Sequence, residues 1–153
     1  MRLARETKPP KWLIASTQIW VDFFIKRIKM EKVLWISIGA ILGANLRYWI
    51  GDWVAQRFGS SFPLGTLLIN LSGSFLLGLV VSMTLENFII DPRLRLLLMI
   101  GFLGSYTTFS TYAYESVALL SQGQWALGLI NLLGSSVLGV IFAFLGVWLG
   151  KTL

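Results

Sequence analysis

Three stretches of this chain carry no charged side chain: 58–85, 96–114 and 116–150. A water-soluble protein of 153 residues has too little interior to hide all three. A bilayer has the room, because a helix needs about 20 mostly apolar residues to cross the hydrocarbon. Four segments meet that length, 33–54, 63–85, 94–120 and 125–150, and Pro63 sits where a proline suits a helix start. The connections, 55–62, 86–93 and 121–124, are too short to hold a soluble domain. Charged residues make up 13% of the chain, against about 25% in soluble domains. The expected fold is therefore all-α, an integral membrane protein with four transmembrane helices, multi-pass in the cell (inner) membrane.

Cysteine and histidine are both absent, which removes disulfides, thiol chemistry and the commonest general base and metal ligand. No two carboxylates lie close together within the apolar segments, so an enzyme is not expected. Most of the net charge of +6 lies in residues 1–32, where eight Lys/Arg stand against three Asp/Glu. Beside membrane spans such a segment meets anionic lipid headgroups, and no basic and aromatic pattern argues for nucleic acid. The chain divides into an extension, 1–32, and a transmembrane domain, 33–153. Two readings of the extension stand. Lys8-Pro9-Pro10-Lys11 reads as a disordered lead before an interfacial amphipathic helix over 12–30. Alternatively, translation starts at Met30 and leaves 1–29 dispensable.

Several polar residues inside the spans need an explanation. Burying Arg47 would cost about 2.5–3.5 kcal/mol on insertion scales, so it faces water or a partner. Either it snorkels, paired with Asp52, or it forms a cationic vestibule that collects anions. Asn70 is either interhelical glue or a neutral donor lining an aqueous path. The third span concentrates Gly101, Gly104, Ser105, Thr107, Thr108, Ser110 and Thr111 where leucine and valine are usual. Such weak helix formers either pack closely or let the helix open, freeing carbonyls able to bind a cation. Phe109 and Tyr112 share a helix face, for packing or to present electropositive ring edges to an anion. Gly39 and Gly43, like Gly146 and Gly150, are spaced for close helix packing and are assigned no chemistry.

These residues resemble those of the Fluc family of small fluoride channels. The resemblance runs from about Gly39 to Gly150 and rests on three blocks in order: Gly43-Ala44-Asn45-Leu46-Arg47-Tyr48, Gly65-Thr66-Leu67-Leu68-Ile69-Asn70-Leu71-Ser72-Gly73-Ser74-Phe75, and Gly101-Phe102-Leu103-Gly104 through Thr107-Thr108-Phe109-Ser110-Thr111. It implies a homodimer of antiparallel subunits with two pores. It also implies a structural sodium ion at the dimer centre, held by main-chain carbonyls of Gly104 and Thr107 from each subunit, at a break in the third helix. Asn70 matches the pore-lining asparagine, Phe109 the first pore aromatic, Ser110 and Thr111 neighbouring hydroxyls, and Arg47 the arginine near the pore entrance. Tyr112 stands where phenylalanine is usual, Ser105 where a second glycine is common, and Ser136 matches one member of a polar track whose other positions are apolar here.

The implied activity is passive, selective export of cytoplasmic fluoride, lowering its toxic concentration. Arg47 would attract the anion, Asn70, Ser110 and Thr111 would donate to it, and ring edges at Phe109 and Tyr112 would replace the rest of its water. The carbonyl-rich break would be offset by sodium. No phosphate-binding loop or proton-carrying carboxylate in the second span points to energy coupling. One conflict arises. The amino terminus, middle loop and carboxyl terminus share a side with 11 Lys/Arg against Arg57 opposite, which predicts one fixed orientation, whereas antiparallel pairing needs two. Starting at Met30 reduces the contrast to four against one. Two rivals remain from sequence: a small multidrug exporter, for which Glu115 is the deepest acid, although it also suits a structural partner, and a non-transporting assembly protein.

Overall fold

The computed structural model describes residues 30–86 and 91–153. Four helices long and apolar enough to cross a membrane follow one another: α1 (Met30–Phe58), α2 (Leu64–Glu86), α3 (Pro92–Ser121) and α4 (Trp125–Thr152). No strand occurs among the described residues. The all-α membrane fold expected from the charge-free runs is the fold that forms, with the expected bend in the third helix. The two readings of the amino-terminal extension fall largely on 1–29, outside the described residues; residues 30–32 form the first turn of α1.

Helix ends follow backbone chemistry more than hydropathy. The first helix continues through 55–58, where a loop was expected, because nothing there stops it. It ends at Gly59, whose left-handed φ of +80° and N–H to the Ala55 carbonyl (3.0 Å) close the last turn. Pro63 precedes α2, and its carbonyl accepts the Leu67 N–H at 3.1 Å. Asp91 caps α3 by accepting the Arg93 N–H at 2.7 Å, with Pro92 at the first helical position. Gly123, at φ +76°, makes the tight turn into α4.

Short loops make consecutive helices antiparallel, and two of the closest backbone approaches pair helices that run the same way. α1 lies against the first half of α3. A Cβ on Gly43 would overlap the Phe102 carbonyl, and one on Gly101 would come within 3.0 Å of the Gly39 Cα. α2 lies against α4 in the same manner, with Gly146 facing the Phe75 carbonyl and Gly78 the Ala143 carbonyl. Within a bilayer, where lipid is as apolar as leucine, such backbone approach supplies the van der Waals energy that holds helices together. The small core joins Ile69 of α2 to Leu103 and Tyr106 of α3, with Leu46, Ile50 and Phe102 packed around them. Two stretches widen from α to π geometry, Leu96–Leu103 in α3 and Ile130–Gly134 in α4, and both flank the site described next.

The packing predicts opposite outcomes at two glycines of α4. Gly146→Leu forces the Phe75 backbone away and should destabilise the protein by about 1–3 kcal/mol. Gly134, with open space where a Cβ would go, should accept alanine with no loss and a gain of up to about 1 kcal/mol. Thermal unfolding midpoints in detergent check the order.

Candidate functional site

α3 is broken near its centre. Thr107 (φ −80°, ψ 156°) and Thr108 (φ −147°, ψ 113°) are extended, and helix resumes at Phe109. Gly104, Ser105, Thr107 and Thr108 all favour non-helical alternatives, which gives the break its local cause. At the middle of a membrane span the polar groups so freed need partners from the protein itself.

Those partners come largely from side chains. Asn70 on α2 donates from Nδ2 to the Thr108 carbonyl (3.1 Å), and its Oδ1 accepts the Thr108 N–H (2.8 Å). Thr108 caps the second half of α3, its Oγ1 accepting the Thr111 N–H (3.3 Å) and donating to the Thr111 hydroxyl (2.9 Å). The Thr107 N–H and hydroxyl both turn back to the Leu103 carbonyl, at 3.1 and 3.0 Å. Gly73, one turn along from Asn70, leaves the space that the Thr107 methyl and the Tyr106 ring occupy. Ser72, beside it, bonds the Tyr106 hydroxyl at 2.9 Å. In an unbroken helix the Thr108 N–H would serve the Gly104 carbonyl and the Thr111 N–H the Thr107 carbonyl. Both donors are diverted, one to Asn70 and one to the Thr108 side chain.

A cleft of about 310 Å³ opens beside the break. Asn70, Gly104, Thr107, Phe109, Tyr112 and Ser136 all line it, and no charged side chain among the described residues does. Six of the nine residues singled out from sequence thus meet in one place. Ser110 and Thr111 are exposed and lie outside the cleft, as does half-buried Arg47 on α1. Asp52, considered as a partner for Arg47, instead accepts from Gln56 Nε2 at 2.7 Å.

The two aromatics differ sharply. Phe109 is 80% exposed, whereas Tyr112 is 8% exposed, their ring centres 5.7 Å apart and tilted by 56°. The Tyr112 hydroxyl donates to the Leu132 carbonyl (2.7 Å) and lies 2.9 Å from Ser136 Oγ, which is itself 2.9 Å from the same carbonyl. The added hydroxyl is therefore held against the widened part of α4.

Sequence reasoning passed over a polar ladder behind this ring. Ser116 Oγ donates to the Tyr112 carbonyl (2.8 Å), Asn131 Nδ2 donates to Ser116 (2.9 Å), and Ser135 donates to Asn131 Oδ1 (3.2 Å). Ser116 and Asn131 are each only 1% exposed. The available signal was a lone side-chain amide inside the fourth apolar segment, 125–150, four residues before Ser135. Glu115, weighed as a structural partner, accepts from the Thr66 hydroxyl at 2.8 Å, while its other oxygen is buried with no hydrogen-bond partner among the described residues. It lines a second cavity of about 420 Å³ near the α1–α2 and α3–α4 turns, with Thr66, Ser60, Ser61, Gln122 and Gln124.

Comparison with known proteins gives a consistent family. Residues 34–147 match the family model of the CrcB-like protein, Camphor Resistance (CrcB). A relative from Koribacter versatilis is 50% identical over 109 residues, covering 71% of this chain and 86% of its own length. One from Chloroflexus aurantiacus is 46% identical over 122 residues (80% and 97%), and one from Aquifex aeolicus 42% over 124 (81% and 100%). Each of the three is named a fluoride-specific ion channel, FluC.

The Tyr112 arrangement makes a stability prediction. Tyr112→Phe and Ser136→Ala should each destabilise the protein, and the double variant should lose less than the sum. A double-mutant cycle on unfolding in detergent should give a coupling of about 0.5–1.5 kcal/mol.

Proposed function

This chain belongs to the CrcB-like protein family, and from that membership we propose that it is a fluoride-specific channel, passing the ion down its electrochemical gradient and so lowering cytoplasmic fluoride. It is a multi-pass membrane protein. The observation that carries the reading is a cleft at mid-membrane with amide, hydroxyl and aromatic lining and no charged side chain among the described residues. Fluoride is small and strongly hydrated, so a pore must replace its water with donors yet release it quickly. A fixed cation in the cleft would hold the ion too tightly, whereas neutral donors and electropositive ring edges bind it more weakly.

Within this reading each residue takes a role. One Nδ2 hydrogen of Asn70 is engaged by Thr108, and the other remains to donate to the anion. Phe109 offers its ring edge. Tyr112 offers its ring, held against α4 with its hydroxyl turned to Leu132 and Ser136. Ser110 and Thr111 sit on the exposed face beside Phe109, and Arg47 draws anions from outside the cleft.

The same face argues for a homodimer. Gly104 and Phe109 are exposed at the depth where lipid would surround a lone subunit. Carbonyls freed by a helix break are not tolerated against lipid, so a second copy, inserted antiparallel, is the proposed cover. The Gly104 and Thr107 carbonyls, deprived of their helical donors, suit a hard cation, and sodium is the proposed occupant. When bound, it would offset the negative potential of the break and join the two subunits.

Purified protein in liposomes tests the proposal. Under an applied potential the vesicles should release fluoride and retain chloride, read with ion-selective electrodes. Phe109→Leu removes a ring edge from an exposed position, so it should fold normally and pass fluoride about tenfold or more slowly. Equal leakage of both ions, or of neither, would refute the channel.

A further inference from the structure

We propose that Asn70 and Thr108 are positioning residues for the cation site: their side chains hold the third helix open by taking the two N–H donors that would otherwise close on Gly104 and Thr107. The inference rests on the reading of those two carbonyls as cation ligands and assigns a second task to Asn70, separate from the anion path.

The geometry is reciprocal at one peptide position. Asn70 engages both backbone groups of Thr108, N–H at 2.8 Å and C=O at 3.1 Å, the pairing an amide side chain makes with a strand. The extended Thr107 (φ −80°, ψ 156°) turns the Thr108 N–H away from Gly104 and onto Asn70, and the paired contacts hold Thr108 itself extended, φ −147° and ψ 113°. Once Thr108 is extended, its side chain is placed to cap the next helix and draws in the Thr111 N–H. The two diversions are thus sequential. Asn70 frees the Gly104 carbonyl, and Thr108, held by Asn70, frees the Thr107 carbonyl. Thr107 cannot undo this, because its own N–H and hydroxyl are committed to Leu103.

A continuous α3 would supply intrahelical donors to both carbonyls and leave no ligands for a cation. The energetic competition is local. Reforming the helical hydrogen bonds across 104–111 is favourable, and the side-chain bonds, added to the weak helix propensity of Gly104, Ser105, Thr107 and Thr108, prevent it. Removing either side chain tips the balance toward closure, so cation affinity should fall even though neither side chain touches the ion.

The experiment titrates Na⁺ against the thermal unfolding midpoint of the full chain in detergent, with N-methylglucamine replacing Na⁺ to keep ionic strength constant. Fluoride flux is measured in parallel on the same preparations. The wild-type midpoint should rise with Na⁺. In Thr108→Ala the half-saturating Na⁺ should increase about five- to tenfold, the loss expected from removing a cap, while Thr108→Ser, which keeps the hydroxyl, should stay within about twofold of wild type. Asn70→Ala should lose the Na⁺ response. Should Asn70→Ala fail to fold, the Thr108 pair still decides. An unaltered half-saturation in Thr108→Ala overturns the proposal, as does a fluoride-conducting wild type with no Na⁺ response. A wild type that responds to Na⁺ but passes no fluoride would refute the channel and leave the positioning roles standing.

Discussion

One side-chain amide makes this architecture possible. At the centre of a bilayer no water stands ready to satisfy a broken helix, and each unpaired backbone group costs several kcal/mol. Asn70 meets the peptide of Thr108 with a donor and an acceptor at once. Few side chains can do this: serine and threonine present a single oxygen, and aspartate has no donor when ionised. The rest of the packing follows from bringing α2 close enough for that contact. Gly73 clears space for Thr107 and Tyr106, and Ser72 ties the Tyr106 hydroxyl. On its other side α2 meets α4 through glycine-to-backbone contacts that brace it in position.

The break sets the direction of everything after it. Two extended residues re-aim the second half of α3, so that Phe109 turns outward and Tyr112 inward. Tyr112 is then fixed from two sides, its hydroxyl on the Leu132 carbonyl and its own carbonyl under the Ser116 hydroxyl. Behind it, the chain of hydrogen bonds crosses from Ser116 on α3 to Asn131 on α4 and continues to Ser135 on the same helix. A fully satisfied polar ladder of this kind fixes helix rotation in a way that leucine packing does not. Neutral groups therefore provide both the lining of the cleft and the scaffold that orients it.

What the sequence makes legible divides along physical lines. The four spans are written in the charge-free runs, because charge exclusion is a property of each segment alone. The opening of α3 is also legible, since glycine and threonine announce weak helix. What holds it open is not, because Asn70 and Thr108 are distant in sequence and their pairing is tertiary. Arg47 and Asp52 show the limit of local reasoning: five residues apart on a helix, they point along different faces, and Asp52 bonds to Gln56 four residues on. Hydropathy also misjudged the end of α1, because a helix runs on into the interface until a residue such as Gly59 stops it. The Asn131 ladder was within reach, as a lone amide in an apolar segment asks for a partner, but the partner that ties it to α3, Ser116, lies on another helix.

A single subunit of this shape is incomplete as a membrane object. Its exposed apolar side chains suit lipid, but Gly104, Ser110 and Thr111 present polar groups on the face of the broken helix. Lipid offers these no hydrogen bond, so the face calls for a protein cover or water. The antiparallel partner proposed above would shield those carbonyls. That geometry must work against the basic residues concentrated on one side of the chain, most of them in 1–32. The described spans have a weaker bias, with Lys32, Arg93, Arg95 and Lys151 against Arg57. Orientation is set mainly by charges close to the spans. Whether one gene product inserts both ways therefore turns on how strongly the extension fixes the first helix, not on anything in the conduction machinery itself.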